Sequence, residues 1–238
     1  MGNRIIAIVQ ARMGSQRFPG KMMADLNGRP LIDWVLRRTA RSQLVTETVL
    51  ATTVLAEDDQ LVEVAEAAGI PVVRGSSPDV LGRYALAAKS HSADTVVRIC
   101  ADRPLVDPAV VDSAVRAFGQ QATDLAFNHI SEGVENWPRG FGAEVLSANL
   151  LYWLAENVTD FHHREHVTLY LWQHRNDYRI QAAPCPEKLN PGFANLLFDV
   201  DQSKDLDKLR LICNEMDQSA TAENIVKSWQ TLKANKVL

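Results

Sequence analysis

The stretch IIAIVQARMGSQRFPGK, residues 5–21, decides the fold. Ile5–Gln10 is a continuous apolar run without alternation, the pattern of a strand covered on both faces of a parallel sheet. The chain then turns polar at once, with Arg12, Gly14, Ser15, Arg17, Gly20 and Lys21 in the next eleven residues. In open parallel sheets, ligands sit beyond the carboxyl ends of the strands. Glycines there let backbone amides approach an oxyanion, and successive amides form anion-binding nests. Three cations added to such amides suit a polyphosphate. The run is not a Walker loop, which needs Gly-Lys-Ser/Thr, nor a dinucleotide fingerprint, which needs Gly-x-Gly-x-x-Gly. The plain alternative is a strand-to-helix loop with solvated cations.

Outward from this stretch, strands and helices alternate. Leu31, Ile32, Val35 and Leu36 sit at helical spacing within Pro30–Arg41, and Thr48–Thr53 reads as a strand. A helix over Glu57–Ala68 stops at Gly69, a strand follows over Pro71–Arg74, and Ser77-Pro78-Asp79 reads as a helix start with Ser77 as cap. Thr95–Ile99 is a fourth strand, and Asp107-Pro108 opens the next helix. After Leu125–Asn128 the rhythm changes to a loop or hairpin over Ser131–Gly142. A short segment Glu144–Leu146, helices over Ser147–Glu156 and Arg164–His174, and a strand over Tyr178–Ala183 come next. Pro184–Gly192 reads as loop and Leu196–Val200 as a last strand. Helices Ser203–Met216 and Thr221–Lys233 close the chain, each with a hydroxyl cap. The reading is α/β: a Rossmann-like, mostly parallel central sheet with helices on both faces, in a single domain over residues 1–238.

With 238 residues, 46% apolar, the chain is long enough for such a core. A net charge of −4 and no basic run argue against nucleic acid as a partner. Apolar runs such as Ile5–Val9 fall far short of the roughly 20 residues that cross a bilayer, so no membrane partner is expected. The start Met1-Gly2-Asn3-Arg4 carries no signal-peptide pattern, and Ile6 stands where a myristoylation motif wants Ser or Thr. Cys100, Cys185 and Cys213 are odd in number and widely spaced, which fits a reducing cytoplasm and not disulfides or zinc.

Asp102 and Asp201 follow the strands Thr95–Ile99 and Leu196–Val200, where a metal could meet a phosphate. Mg²⁺ takes oxygen ligands, often one or two carboxylates plus substrate phosphates. Helix capping is the alternative, but Asp107 and Ser203 are better placed for it. Asp199 lies two residues from Asp201 on the same face of an extended segment and reads as a supporting acid. His162 and His166 have i, i+4 spacing, but no further ligand pattern supports zinc. The tryptophans lie mainly on helices and read as core, except Trp137, which is expected to line a pocket.

The run QARMGSQRFPGK with LNGRPLI after it resembles the opening of the cytidylyltransferase family, which includes CMP-KDO and CMP-sialic acid synthetases and the spore-coat polysaccharide proteins. Further likeness recurs in order: RGSSPDVLGRY (residues 74–84), RICADRPLVDP (98–108), PRGFGAEVLS (138–147), REHVT (164–168) and FDVDQSKDL (198–206). The chain carries Cys100-Ala101 where near members have Thr or Gln, then Gly, a departure that bears on nucleotide or acceptor preference. The resemblance implies Mg²⁺-dependent transfer of CMP from CTP to an acidic small acceptor. Lys21, Arg12, Asp102 and Asp201 would carry the chemistry, with Asp102 and Asp201 on the metal. Gln10, Ala11, Gly14, Ser15, Arg17, Thr52, Thr53, Arg74, Ser76, Arg83, Cys100 and Ala101 would bind the nucleotide. Arg139, Glu144, Arg164, Glu165 and His166 would face the acceptor. Residues 131–195 would form an acceptor and dimerisation insertion of a homodimer. Two rivals are a metal-dependent glycosyltransferase, since Asp199-Val200-Asp201 is an Asp-x-Asp, and a non-catalytic nucleotide-binding protein.

Overall fold

A computed structural model describes residues 3–120, 122–128, 137–189, 196–214 and 216–237. Its centre is a seven-stranded sheet. The strands are β1 (Ile5–Gln10), β4 (Glu47–Thr53), β5 (Val72–Gly75), β6 (Thr95–Cys100), β7 (Leu125–Phe127), β8 (Glu144–Ser147) and β9 (Ile180–Ala182), in the order β5-β4-β1-β6-β8-β7-β9. All neighbours run parallel except β8, which is antiparallel to β6 and β7. A separate hairpin pairs β2 (Asp25–Leu26) with β3 (Arg29–Pro30).

The apolar runs are buried on both faces, as a covered parallel sheet requires. Ala7, Val9, Leu50, Val97 and Ile99 pack with α1 (Leu31–Thr39), α2 (Asp59–Ala67) and α4 (Pro108–Gln120), and with α8 (Ser203–Ile212) and α9 (Ala222–Ala234). Ile6, Ile8, Val49 and Val96 pack on the other face with α3 (Val80–Ser90), α5 (Ala148–Asn157) and Leu171 of α7 (Leu169–Gln173). One-residue alternation along each strand thus feeds two cores.

Several expectations are corrected. Leu196–Val200 is no sheet strand. It lies extended and makes one bridge, Arg139 with Leu197, because its amides and carbonyls meet loop residues and not a strand edge. The single helix expected over Arg164–His174 is two short ones, α6 (Phe161–Glu165) and α7, parted where Thr168 turns its hydroxyl onto Glu144. Asp79 and not Ser77 caps α3, accepting from the Gly82 amide. Gln202 and not Ser203 caps α8, in a reciprocal box with Asp205. Trp137 is buried in the main core with its indole N–H on the Ala183 carbonyl, and it is not among the walls of the cavities described below. Within residues 131–195, β8 and β9 join the central sheet. Residues 129–136 and 190–195 lie outside the described residues, as do the parts of the expected loops that fall on them. The β2–β3 hairpin had a legible signal, Asn27-Gly28, with φ of 51° and 82° as a two-residue turn of this hand demands.

Candidate active site

The loop after β1 is held from below. Asp58, fully buried just before α2, accepts from the Met13 amide at 2.6 Å and from the Thr53 hydroxyl. Above it, the Phe18 amide reaches Ser15 Oγ at 3.3 Å. Gly20, at φ 71°, makes the left-handed turn that brings Lys21 back under the loop.

Lys21 is buried, and its Nζ donates to the Val200 carbonyl at 2.7 Å. The Val200 amide in turn donates to the Asp102 carbonyl at 2.8 Å. Two hydrogen bonds therefore tie together the loop after β1, the end of β6 and the segment before α8. Asp102 stands in the turn after β6 and Asp201 in the bend after Val200, so the Val200–Asp102 backbone bond brings the two stretches of chain together. Asp102 lines the cavity that opens here, whereas Asp201 is not among its walls. Asp102 Oδ1 is enclosed and has no hydrogen-bond partner. Asp201 pairs with Arg17 at 3.2 Å, and Arg12 with Glu165 at 3.6 Å. These pairs are partly exposed, a setting where each contributes below about 1 kcal/mol, so a polyanion can displace them.

A cavity of about 580 Å³ opens over this constellation. Of the expected residues, Gln10, Ala11, Arg12, Gly14, Ser15, Arg17, Lys21, Cys100, Ala101, Asp102, Glu165 and His166 line it. A second cavity of about 780 Å³ adjoins it and shares Arg98 and His166, with Glu144, His162, His163, Thr168 and Trp172 among its other walls. Glu144 is buried and accepts from Thr168 Oγ1 at 2.9 Å, from Trp172 Nε1 at 3.0 Å and from Arg98.

Other expected residues are engaged elsewhere. Thr52 is buried in β4 with its Oγ1 unpartnered, and the Thr53 hydroxyl donates to Asp58. Arg74 donates to the carbonyls of Thr53 and Leu55 and pairs with Asp59 at 2.7 Å. The Ser76 carbonyl accepts from Arg83, a buried guanidinium whose Nε and Nη2 find no partner and whose pKa burial lowers. Arg139 is ion-paired with Asp199, which draws both from the cavity and leaves the Asp-x-Asp with divergent partners. Arg164 grips Asp79 through Nε and Nη2 at 3.0 and 2.7 Å and gives Nη1 to the carbonyls of Ala155 and Val158. A guanidinium so filled is no open clamp. Burial works against the Asp79 carboxylate, but the Arg164 hydrogen bond and the Gly82 amide outweigh it and hold the carboxyl below its ordinary range.

Sequence reasoning passed over Asp58 and Arg98. Asp58 gave no local signal, since its contact with Met13 spans 45 residues. Arg98 did give one: a charge inside a buried strand is rare unless paired, and Glu144 stands directly opposite it on β8.

The geometry agrees with relationships found across known proteins. A family model described as Cytidylyltransferase matches residues 6–226. The spore coat polysaccharide biosynthesis protein SpsF of Bacillus subtilis is 32% identical over 205 residues, covering 84% of this chain and 83% of that protein. The 3-deoxy-manno-octulosonate cytidylyltransferase of Geobacter sulfurreducens is 39% identical over 118 residues, 49% of this chain and 46% of that one. Among solved structures, a cytidylyltransferase from Leptospira borgpetersenii superposes with a TM-score of 0.87 at 26% identity, over 99% of this chain and 96% of that chain. On these relationships, the chain belongs to the cytidylyltransferase family.

Proposed function

We propose that the protein transfers CMP from CTP to an acidic sugar or related small acid, releasing pyrophosphate, in surface-polysaccharide or glycoconjugate biosynthesis. The observation that carries this is the Lys21–Val200–Asp102 chain of hydrogen bonds, which joins a polyphosphate loop to two acids. The name of the Geobacter relative supports cytidine and an acidic acceptor, and that of the Bacillus relative supports surface polysaccharide.

In this reading CTP lies in the smaller cavity and the acceptor in the larger. Lys21 meets the α-phosphate, and Arg12 and Arg17 meet the β- and γ-phosphates, leaving their partners Glu165 and Asp201. An acceptor oxygen attacks the α-phosphorus in line, the bond from that phosphorus to the β-bridging oxygen breaks, and pyrophosphate departs. Catalysis of this kind is mostly positioning and charge neutralisation. A carboxylate, phosphate or phosphonate nucleophile needs no base, whereas a hydroxyl hands its proton to a nearby carboxylate. His166, at the junction of the cavities, and Glu144 in the larger one face the acceptor.

Mg²⁺ fits the acids present. Among the described residues there is no cluster of three or more His, Cys, Asp or Glu suited to a metal, but an ion shared with phosphates needs only one or two carboxylates. Asp102 offers an enclosed, unpartnered oxygen, and Asp201 a carboxylate held by one displaceable pair. When bound, the ion neutralises charge on the phosphate oxygens.

A cytoplasmic location rests on three unpaired cysteines, and among the described residues no helix is long and apolar enough to cross a membrane. A homodimer seated on residues 131–172 draws support from exposed Trp153 and Phe161; sedimentation tests it. The function is tested with four nucleoside triphosphates against a panel of acidic sugars with Mg²⁺, reading pyrophosphate. CTP with one acid is expected to give sustained release. Acid-independent release, or none with any pair, would defeat the proposal, and turnover of a finished nucleotide-sugar without pyrophosphate would favour a glycosyltransferase.

A further inference from the structure

The larger cavity is short of positive charge. Of its described lining residues only Arg98 is a permanent cation, beside Glu144, Asp160 and three histidines. An acidic molecule seated there has to meet Arg98, and Arg98 also lines the nucleotide cavity. It is the guanidinium common to both.

The surroundings of Arg98 prepare it for such a contact. It stands on β6 directly across from Glu144 and on the same strand face as Cys100, which lines the nucleotide cavity. Its Nη1 donates to Glu144 Oε2. Glu144 is also held by Thr168 and Trp172, so its carboxylate is satisfied from several sides and fixes the guanidinium plane by one corner. Arg98 Nε, on another corner, is enclosed and has no partner. A planar donor set pinned at one nitrogen and unmatched at another is suited to a carboxylate, which accepts two parallel N–H bonds.

We infer that Arg98 receives the acidic group of the acceptor and holds it at the junction of the two cavities, facing the α-phosphate. This rests on the proposed transfer. Arg98 is thereby the residue through which the protein demands an acid, and Glu144 is a positioning residue acting through it.

The test uses R98Q, R98K and the double variant R98Q/E144Q, since R98Q alone leaves a buried carboxylate without its cation and can fail to fold. The double variant keeps two neutral, hydrogen-bonding side chains of similar size in the pair. With CTP and the acid that the wild type turns over, R98Q/E144Q is expected to raise the KM for the acid about 10- to 100-fold, the loss of a charge-assisted contact. The KM for CTP should move less than about 3-fold on the same reasoning, with R98K in between for the acid. Equal rises in both KM values, or an unchanged KM for the acid in a folded double variant, overturn the inference.

A wild type that releases no acid-dependent pyrophosphate defeats the proposed function on its own. Titration of 3-deoxy-manno-octulosonate into CTP-loaded protein then decides the role of Arg98. Binding by the wild type that R98Q/E144Q lacks supports it; equal affinity, or binding by neither, overturns it.

Discussion

Replacing Lys21 by methionine removes one charge from the floor of the cavity proposed for the nucleotide while nearly keeping the side chain's length. Lys21 is buried, and its Nζ meets the Val200 carbonyl and no carboxylate among the described residues. Its charge is therefore available to a phosphate. A cation and an anion about 4 Å apart interact by about 4 kcal/mol at an effective dielectric near 20. Bringing phosphate and ammonium out of water takes back part of this, leaving about 2–4 kcal/mol. Because charge at the α-phosphorus changes as the bond breaks, most of the loss should fall on kcat and not on CTP affinity. The expected fall in kcat/KM is about 30- to 1000-fold.

The same substitution affects stability differently. It leaves the Val200 carbonyl without its 2.7 Å donor, a cost of about 1–3 kcal/mol, partly offset by burying an apolar side chain. For a chain of this size that is a drop in Tm of roughly 2–10 °C. Acid-dependent pyrophosphate release at 25 °C, with calorimetry of the same preparation, separates the two effects. A folded K21M protein whose kcat/KM lies within 3-fold of wild type refutes the reasoning, because then no phosphate depends on that ammonium.

Asp102→Asn should fold as wild type, since Oδ1 makes no hydrogen bond in the protein. It should lose about 100-fold or more in rate and need more Mg²⁺; normal rates at normal Mg²⁺ would rule Asp102 out as a ligand. Cys100, partly exposed in the nucleotide cavity, should alkylate first and be protected by CTP, because burial pushes Cys185 up to about 11 and Cys213 up to about 12. Equal labelling of all three by mass spectrometry, or no protection, would contradict the assignment of that cavity. Asp79→Asn should lower Tm at pH 7, and the gap should close as pH falls below about 4. The folded carboxyl is depressed by Arg164 and Gly82 against burial, so its contribution is present above the unfolded pKa and lost as it protonates; a gap unchanged from pH 7 to pH 3 would exclude it.

What was legible in the sequence, and what was not, follows from range of action. β1, β4 and β6 announce themselves because every residue of an apolar run meets a core on one face or the other. The loop after β1 is legible because its glycines, serine and cations fall within one short stretch, residues 12–21. The break between α6 and α7 was not, because its cause is Glu144, more than twenty residues upstream, collecting Thr168 and Trp172. Leu196–Val200 has the composition of a strand, yet its backbone bonds go to the loop residues Arg139, twice, and Asp102, once. Local pattern registers that such a segment is apolar and extended, but not that its partners are loops.

Four arginines mark the same limit from the chemical side. Arg74, Arg98, Arg139 and Arg164 are equivalent as letters, each within a stretch that resembles the family. The fold separates them by which donors are already matched. Arg164 has its fork filled by Asp79 and two carbonyls, Arg74 by two carbonyls and Asp59, and Arg139 is drawn off by Asp199. Arg98 alone among these four combines a place in the cavity wall with an enclosed donor that has no partner. A buried donor left unmatched is costly to the folded protein, and Asp102 Oδ1 and Arg98 Nε carry that cost at the edges of one cavity system. In a nucleotidyltransferase those are the atoms to which an ion and an acid would bring what the protein itself withholds.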